Sequence, residues 1–327
     1  MMTALNKTEE LYKSLYQRAN EQKLSESFSV PDEVIYDAAV PPNQPSKPQR
    51  GLLIVMATLM ALALYIMYLI VSTALDKTVN SISELKAKTG LDASGEFPQL
   101  PQANSAKLTF QNLLYADMIH SLRLALLGQN NHGGMILVTS AQADAGSSLI
   151  AEMLAWSAAK SGKTLLIDVD YLASDGLSAR YPQHKTGFSE RLDGRSAAPQ
   201  AVVPLADTLD FMPRGELSDS ALLLFTSERL PALLTTLRQT YDYLIINAPS
   251  LGLAQDALLL APHVDITLLA INAGEQASRI RDAQNRLQTA APTPVATMLN
   301  RAQEENLETQ EGKRLPERGM GALISPK

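Results

Sequence analysis

The period of apolar and polar positions changes several times along this chain. Between residues 5 and 29 apolar side chains recur at Leu11, Leu15, Tyr16, Ala19 and Leu24 among charges. That spacing predicts an amphipathic helix, of the kind that pairs in coiled coils. SVPDEVIYDAAV then reads as extended. PPNQPSKP, residues 41–48, carries too much proline for a helix. From Gly51 to Leu75 the sequence GLLIVMATLMALALYIMYLIVSTAL contains no charge. About 20 apolar residues suffice to cross the hydrocarbon core as a helix, so a transmembrane helix is expected here. The run is too long and too far from the amino end for a signal-peptide core, and no small-residue cleavage pattern follows it. Lys47 and Arg50 flank one end and Lys77, Lys86 and Lys88 the other, so the distribution of positive charge leaves the orientation open.

Beyond the apolar run, Asp76 to Gly90 predicts a juxtamembrane helix, and LDASGEFPQLPQANS a linker. From Ser105 the pattern alternates. SAKLTFQNLLYADMIHSLRLALLG has a helical period. Short apolar runs (GMILVTSA, TLLIDVDY, TLDFMPRG, YDYLIINAP, DITLLAINA, PVATMLNRA) then alternate with helical stretches, among them the one after Gly146, SERLPALLTTLRQTY and QASRIRDAQNRLQTA. Strands alternating with helices build crossover units on a mostly parallel sheet, whose ligand crevice lies at the carboxyl ends of the strands. The segment after Arg301 is polar and charged and is expected to be disordered. The domains expected are residues 1–50, 51–75, 76–104, 105–302 and 303–327.

Composition narrows the function classes. The 327 residues are 46% hydrophobic, enough for a substantial core, and the net charge of -6 gives no electrostatic reason to expect nucleic-acid binding. The absence of cysteine removes disulfides and thiolate metal sites. His120, His132, His184 and His263 lack metal-ligand spacing.

The candidate chemistry lies in VTSAQADAGSSL, residues 138–149, between an apolar run and a helical pattern. A phosphate-binding loop at such a place reads G-x-x-x-x-G-K-S/T. Here Ala141 stands for the first glycine and Ser147 for the lysine, while Gly146 and Ser148 fit. Losing one charged hydrogen-bond donor weakens phosphate binding by about 10- to 150-fold. The expected ligand contacts are Gly146, Ser147 and Ser148, with Asp168 and Asp170 in TLLIDVDY as the acidic partners.

With these motifs in view the chain resembles the C-terminal half of the bacterial tyrosine kinases fused to polysaccharide co-polymerases, the chain-length determinants of surface-polysaccharide export. LYKSLYQRANEQKL, VIYDAAVPPNQPSKP and the apolar run are similar to the end of that family's periplasmic part and its return through the inner membrane. DMIHSLRLALL resembles the helix before the nucleotide domain, with Asp117 and His120 where the family usually has Glu and Arg. TLLIDVDY resembles the second Walker motif, TGFSERLDG a following loop, YDYLIINAPS the Walker B strand and VATMLN the last strand. The resemblance implies a P-loop NTPase-like fold, a mostly parallel sheet flanked by helices and preceded by a transmembrane helix and an amphipathic helix. It implies that Met1 to about Arg50 is periplasmic and the rest cytoplasmic. Family members carry an earlier span and a large periplasmic domain ahead of this point, so it also implies a fragment, a split gene or a truncated gene product.

By the same resemblance, Gly146, Ser147, Ser148, Asp168, Asp170 and Asn300 would contact ATP or ADP, with Ser148 and Asp168 serving Mg²⁺ if nucleotide binds and Asn300 reading adenine. Asp168 and Asp170 can also be solvated strand-end carboxylates, and Asn300 a turn-capping residue. Three departures count against phosphoryl chemistry: Ser147 for the lysine, Ala143-Asp144 for a Pro-Gly pair, and Asn247 for the Walker B aspartate. The sequence also offers no tyrosine after Tyr243, where the family carries an acceptor cluster. The expectation is a non-catalytic, membrane-anchored kinase-like subunit of a polysaccharide polymerisation and export complex. It would form homo- or hetero-oligomers through the helix around Asp117 to Leu127, without nucleic acid. The alternatives are an active tyrosine kinase or ATPase in which Asp168 and Asp170 are catalytic and Lys160 or Lys163 replaces the lost charge, and a partitioning ATPase of the related deviant-loop class.

Overall fold

The computed structural model describes residues 2–27, 50–75, 77–99, 113–128, 133–182, 184–195, 201–218, 220–303 and 306–307. The proline-rich segment, most of the expected linker beyond Gln99 and the tail after Leu307 lie outside them. The chain divides into two units, Met1–Ala74 and Leu75–Lys327.

The first unit is two long helices. Helix α1, Met2–Ser27, covers the segment predicted to be helical. Leu11, Leu15, Tyr16 and Leu24 are exposed on it, and the rings of Tyr12 and Tyr16, one turn apart, stack with centroids 6.3 Å apart. Helix α2, Arg50–Leu75, contains the apolar run; Gly51–Ser72, 22 residues, is long and apolar enough to cross a membrane. Its apolar side chains from Leu52 to Val71 are exposed, the opposite of a core helix.

The second unit is a three-layer α/β domain. Its principal sheet has eight strands in the order β2-β10-β8-β3-β7-β4-β6-β5. In chain order these are β2 (Ala93–Pro98), β3 (Gly134–Ser140), β4 (Thr164–Asp168), β5 (Val203–Ala206), β6 (Leu209–Met212), β7 (Tyr243–Asn247), β8 (Ile266–Asn272) and β10 (Val295–Ala302). Every pairing is parallel except β5 with β6. Strand β7 is buried at every position and β3 from Met135 to Ser140, because helices cover both faces. Strands wrapped on both sides read as unbroken apolar runs rather than alternation, which is why GMILVTS and YLIIN stand out in the sequence. The chain leaves β3 through helix α5 (Ser147–Ala158) to β4 on one side, and later returns through β8 on the other. A reversal of this kind opens a crevice at the carboxyl ends of the strands.

Several stretches differ from the sequence reading. The expected linker, residues 91–104, contains edge strand β2, paired with β10, and Phe97 is buried in the core. Gly95 and Pro98 obscure its strand period, and pairing to β10 overrides them. The expected juxtamembrane helix is the shorter α3, Ile82–Thr89, starting at a Ser81 cap and stopping at Gly90 in the left-handed region. Its Leu85 is fully buried. Strand β1 (Thr78–Val79) pairs antiparallel with β9 (Glu275–Gln276), so the folded domain begins well before Ser105. At the other end Leu307 packs into the core, past the expected boundary at 302. Helix α4 (Leu113–Leu127) lies against α5 and β2, burying Ile119 and Leu122 and exposing Asp117 and Leu124. Within the expected loop TGFSERLDG, Phe188–Leu192 forms the short helix α6.

Candidate nucleotide-binding site

Residues 141–146 join β3 to α5, and Ala143, Asp144 and Gly146 among them line a crevice of about 750 Å³. Asp144 has φ of 59° and Gly146 of 82°. Left-handed backbone turns successive N–H groups toward one side, and glycine adopts it without strain, whereas aspartate does so at a cost of about 1 kcal/mol. A side chain at Gly146 would collide with the Asn300 amide. That amide is buried and donates to the Ala145 carbonyl at 2.8 Å, so Asn300 ties the end of β10 to the loop. Ser147 and Ser148 open α5, line the crevice and are half-buried, with the positive end of the helix behind them.

The two acidic residues separate. Asp168 is fully buried and does not line the crevice. Its Oδ1 accepts from the Asn247 amide at 2.8 Å and from the Asp170 N–H at 3.2 Å; its Oδ2 accepts from the Ser178 N–H at 2.9 Å and the Ser178 hydroxyl at 2.6 Å. Asp170 does line the crevice, with Oδ1 accepting from the Leu172 and Ala173 N–H groups at 3.0 and 3.1 Å. Burial raises its pKa above the usual carboxylate range, and the nearby Asp168 adds to this against those two bonds and Arg214. Arg214 fastens the same turn, donating to the carbonyls of Asp170 and Ala173.

Asn247 is the departure with the clearest structural consequence. It ends β7 directly beside Asp168 in register and is fully buried. Its Nδ2 donates to Asp168, a bond that an ionised aspartate at 247 could not supply; its Oδ1 has no hydrogen-bond partner. A magnesium site implied by the fold needs carboxylate oxygens free to face the ion. Here Asp168 spends both oxygens on protein donors, and among the described residues no group of three or more His, Asp or Glu side chains could hold a metal. The residues present do not fit the ion.

The crevice also brings together residues to which the sequence assigned no role. Arg180 and Arg301 line it beside Asp144, Asp170 and Asp175. Arg180 forms an ion pair with Glu152 on α5. Burial raises the Glu152 pKa, while that arginine pulls it down. Ser250, just after β7, lines the crevice, is 5% exposed, and its hydroxyl has no partner. Pro98 and Gln99 form part of the wall, so the stretch expected as linker reaches the site. Lys160 and Lys163 follow the carboxyl end of α5, away from the crevice, and the Lys163 ammonium sits 4.8 Å from the Tyr241 ring centroid. Neither stands in for the missing lysine.

Sheet order, strand-end crevice and loop-to-helix junction define the class: a mostly parallel α/β domain built like the P-loop kinases. Residues 3–74 match GNVR, the "G-rich domain on putative tyrosine kinase". The tyrosine-protein kinase CpsD of Streptococcus pneumoniae is 30% identical over 171 residues, 51% of this chain and 75% of CpsD. The tyrosine-protein kinase wzc of Salmonella typhi is 23% identical over 286 residues, 80% of this chain but 39% of wzc. The kinase domain of Escherichia coli tyrosine kinase ETK superposes with a TM-score of 0.62 at 21% identity, covering 71% of this chain and 96% of that domain. The chain belongs to the bacterial tyrosine-protein kinase family, and it spans about two-fifths of the length of the wzc-type relative.

Proposed function

We propose that this chain is a membrane-anchored, non-catalytic member of that family, supporting the polymerisation and export of a surface polysaccharide. Helix α2 is the anchor in the inner membrane, α1 lies on the periplasmic side and the α/β domain in the cytoplasm. The observation that carries the reading is the Asn247–Asp168 hydrogen bond. It leaves the strand-end carboxylate satisfied by protein alone, in a site whose loop has Ser147 where a lysine would meet the outer phosphates. Transfer of a phosphoryl group depends on cations that neutralise charge developing on the oxygens, and both the lysine and the metal position are altered. The fold does not need that chemistry, since its core is made by the apolar strands.

The Asp117–Leu127 region presents Asp117 and Leu124 to solvent and is the face proposed to meet neighbouring subunits or co-polymerase partners. The second reading, an active ATP-dependent tyrosine kinase or ATPase, draws support from Arg180 and Arg301, two cations at the crevice in place of one lysine. Complementation separates the two readings. In a host deleted for this gene, Ser148→Ala is expected to restore polymer length and yield as fully as the unchanged chain. Restoration by the unchanged chain alone would favour the active kinase.

A further inference from the structure

The amino end of α5 is joined by a second, independent feature. Ser250 Oγ is buried and unpartnered, and Ser250 lines the same crevice as Ser147 and Ser148. A buried hydroxyl without a partner is costly in a folded protein and is relieved by a ligand oxygen or an ordered water. Helix N-terminal amides, three serine hydroxyls and the guanidinium groups of Arg180 and Arg301 are all donors, the chemistry that recognises phosphate oxygens. At the same time both oxygens of Asp168 accept from protein donors, one of them the Asn247 amide, which leaves neither free for a cation.

We propose that this crevice binds a phosphate-bearing ligand of low charge, such as a nucleoside diphosphate, without a divalent cation. Ser250 and the amino end of α5 hold the terminal phosphate, and Arg180 and Arg301 balance its charge. The Asn247 amide takes the place of the metal by satisfying the buried Asp168 carboxylate with a hydrogen bond. A triphosphate fits less well, because Asp144, Asp170 and Asp175 line the same space and no metal offsets the added charge. The inference rests on the non-catalytic reading of the crevice but concerns binding rather than turnover.

The test is calorimetric titration of the detergent-solubilised full chain with ADP, ATP, pyrophosphate and orthophosphate, each in excess EDTA and in excess magnesium. ADP is expected to bind with affinities that agree within about twofold in the two conditions, and more tightly than ATP. Ser250→Ala is expected to weaken ADP by about tenfold. Pyrophosphate binding as tight as ADP would assign the affinity to the phosphates alone and support the same donor set. In a parallel arm, Asn247→Asp is expected to lower the thermal midpoint in EDTA and to recover it with magnesium, while the unchanged chain is indifferent to the ion. ADP binding that requires magnesium, no binding by any of the four ligands, or an unchanged affinity in Ser250→Ala would overturn the proposal. Nucleotide turnover would instead strike at the non-catalytic reading, so the two failures are distinct.

Discussion

Among single residues, Asn247, Gly146 and Glu275 show how local physics decides what the domain can do. Asn247 converts what would be two facing carboxylates into a donor–acceptor pair. Gly146 is required by geometry twice, by its φ of 82° and by the Asn300 amide above it. Gly146→Ala is therefore expected to cost about 1–3 kcal/mol and to break the Asn300 bond to the loop, read as a lower urea midpoint. Glu275 is 6% exposed on β9, and burial lifts its pKa from an ordinary 4.5 to about 7, opposed by the Asn272 N–H and Arg279. The folded chain thus keeps a proton that the unfolded chain has released. Its stabilising contribution is complete below pH 4.5 and is lost as pH rises toward 7. The loss is on the order of 3 kcal/mol. Thermal midpoints measured across that interval should fall with rising pH, and Glu275→Gln should flatten the fall. A midpoint that rises over the same interval would contradict the assignment.

Individual elements were legible in the sequence to the degree that burial was two-sided. Strands β3, β4, β7 and β8 announce themselves because helices cover both faces, and α2 because it carries no charge. Strand β2 was hidden by glycine and proline, and what makes it a strand is its partner β10, which only the fold supplies. The site divides the same way. Gly146, Ser147 and Ser148 fall where the loop spacing put them, and Asp170 lines the crevice. Asp168 is turned into the protein by Ser178, whereas Ser250 and Arg301 reach the crevice from the ends of strand motifs that assigned them no role, and Arg180 from a segment with no motif of its own. Because β2 and α3 pack into the core, a truncated chain starting at Ser105 would expose the flank of β10 and one face of α4. Such a fragment is expected to unfold at lower urea than one starting at Leu75, and Leu85→Ala in the longer chain to cost about 2–4 kcal/mol. Equal stability of the two fragments would show that the early segment is not part of the domain.

For the molecule as a whole, the proposed function joins an apolar helix, read as an anchor, to a domain with the family's architecture that carries Ser147 and Asn247 in its site. An uncharged helix of this length should hold the chain in the bilayer through alkaline carbonate washing, and replacing Leu62 and Leu64 by aspartate should release it; extraction of the unchanged chain by carbonate would speak against an anchor. The central claim is that the site no longer moves phosphoryl groups. The most direct measurement is a time course of the solubilised full chain with terminally labelled ATP and magnesium, following both phosphate release and label on tyrosine. The account predicts both signals at the level of a Ser148→Ala control throughout. Release or tyrosine labelling by the unchanged chain that the Ser148→Ala variant lacks would contradict it.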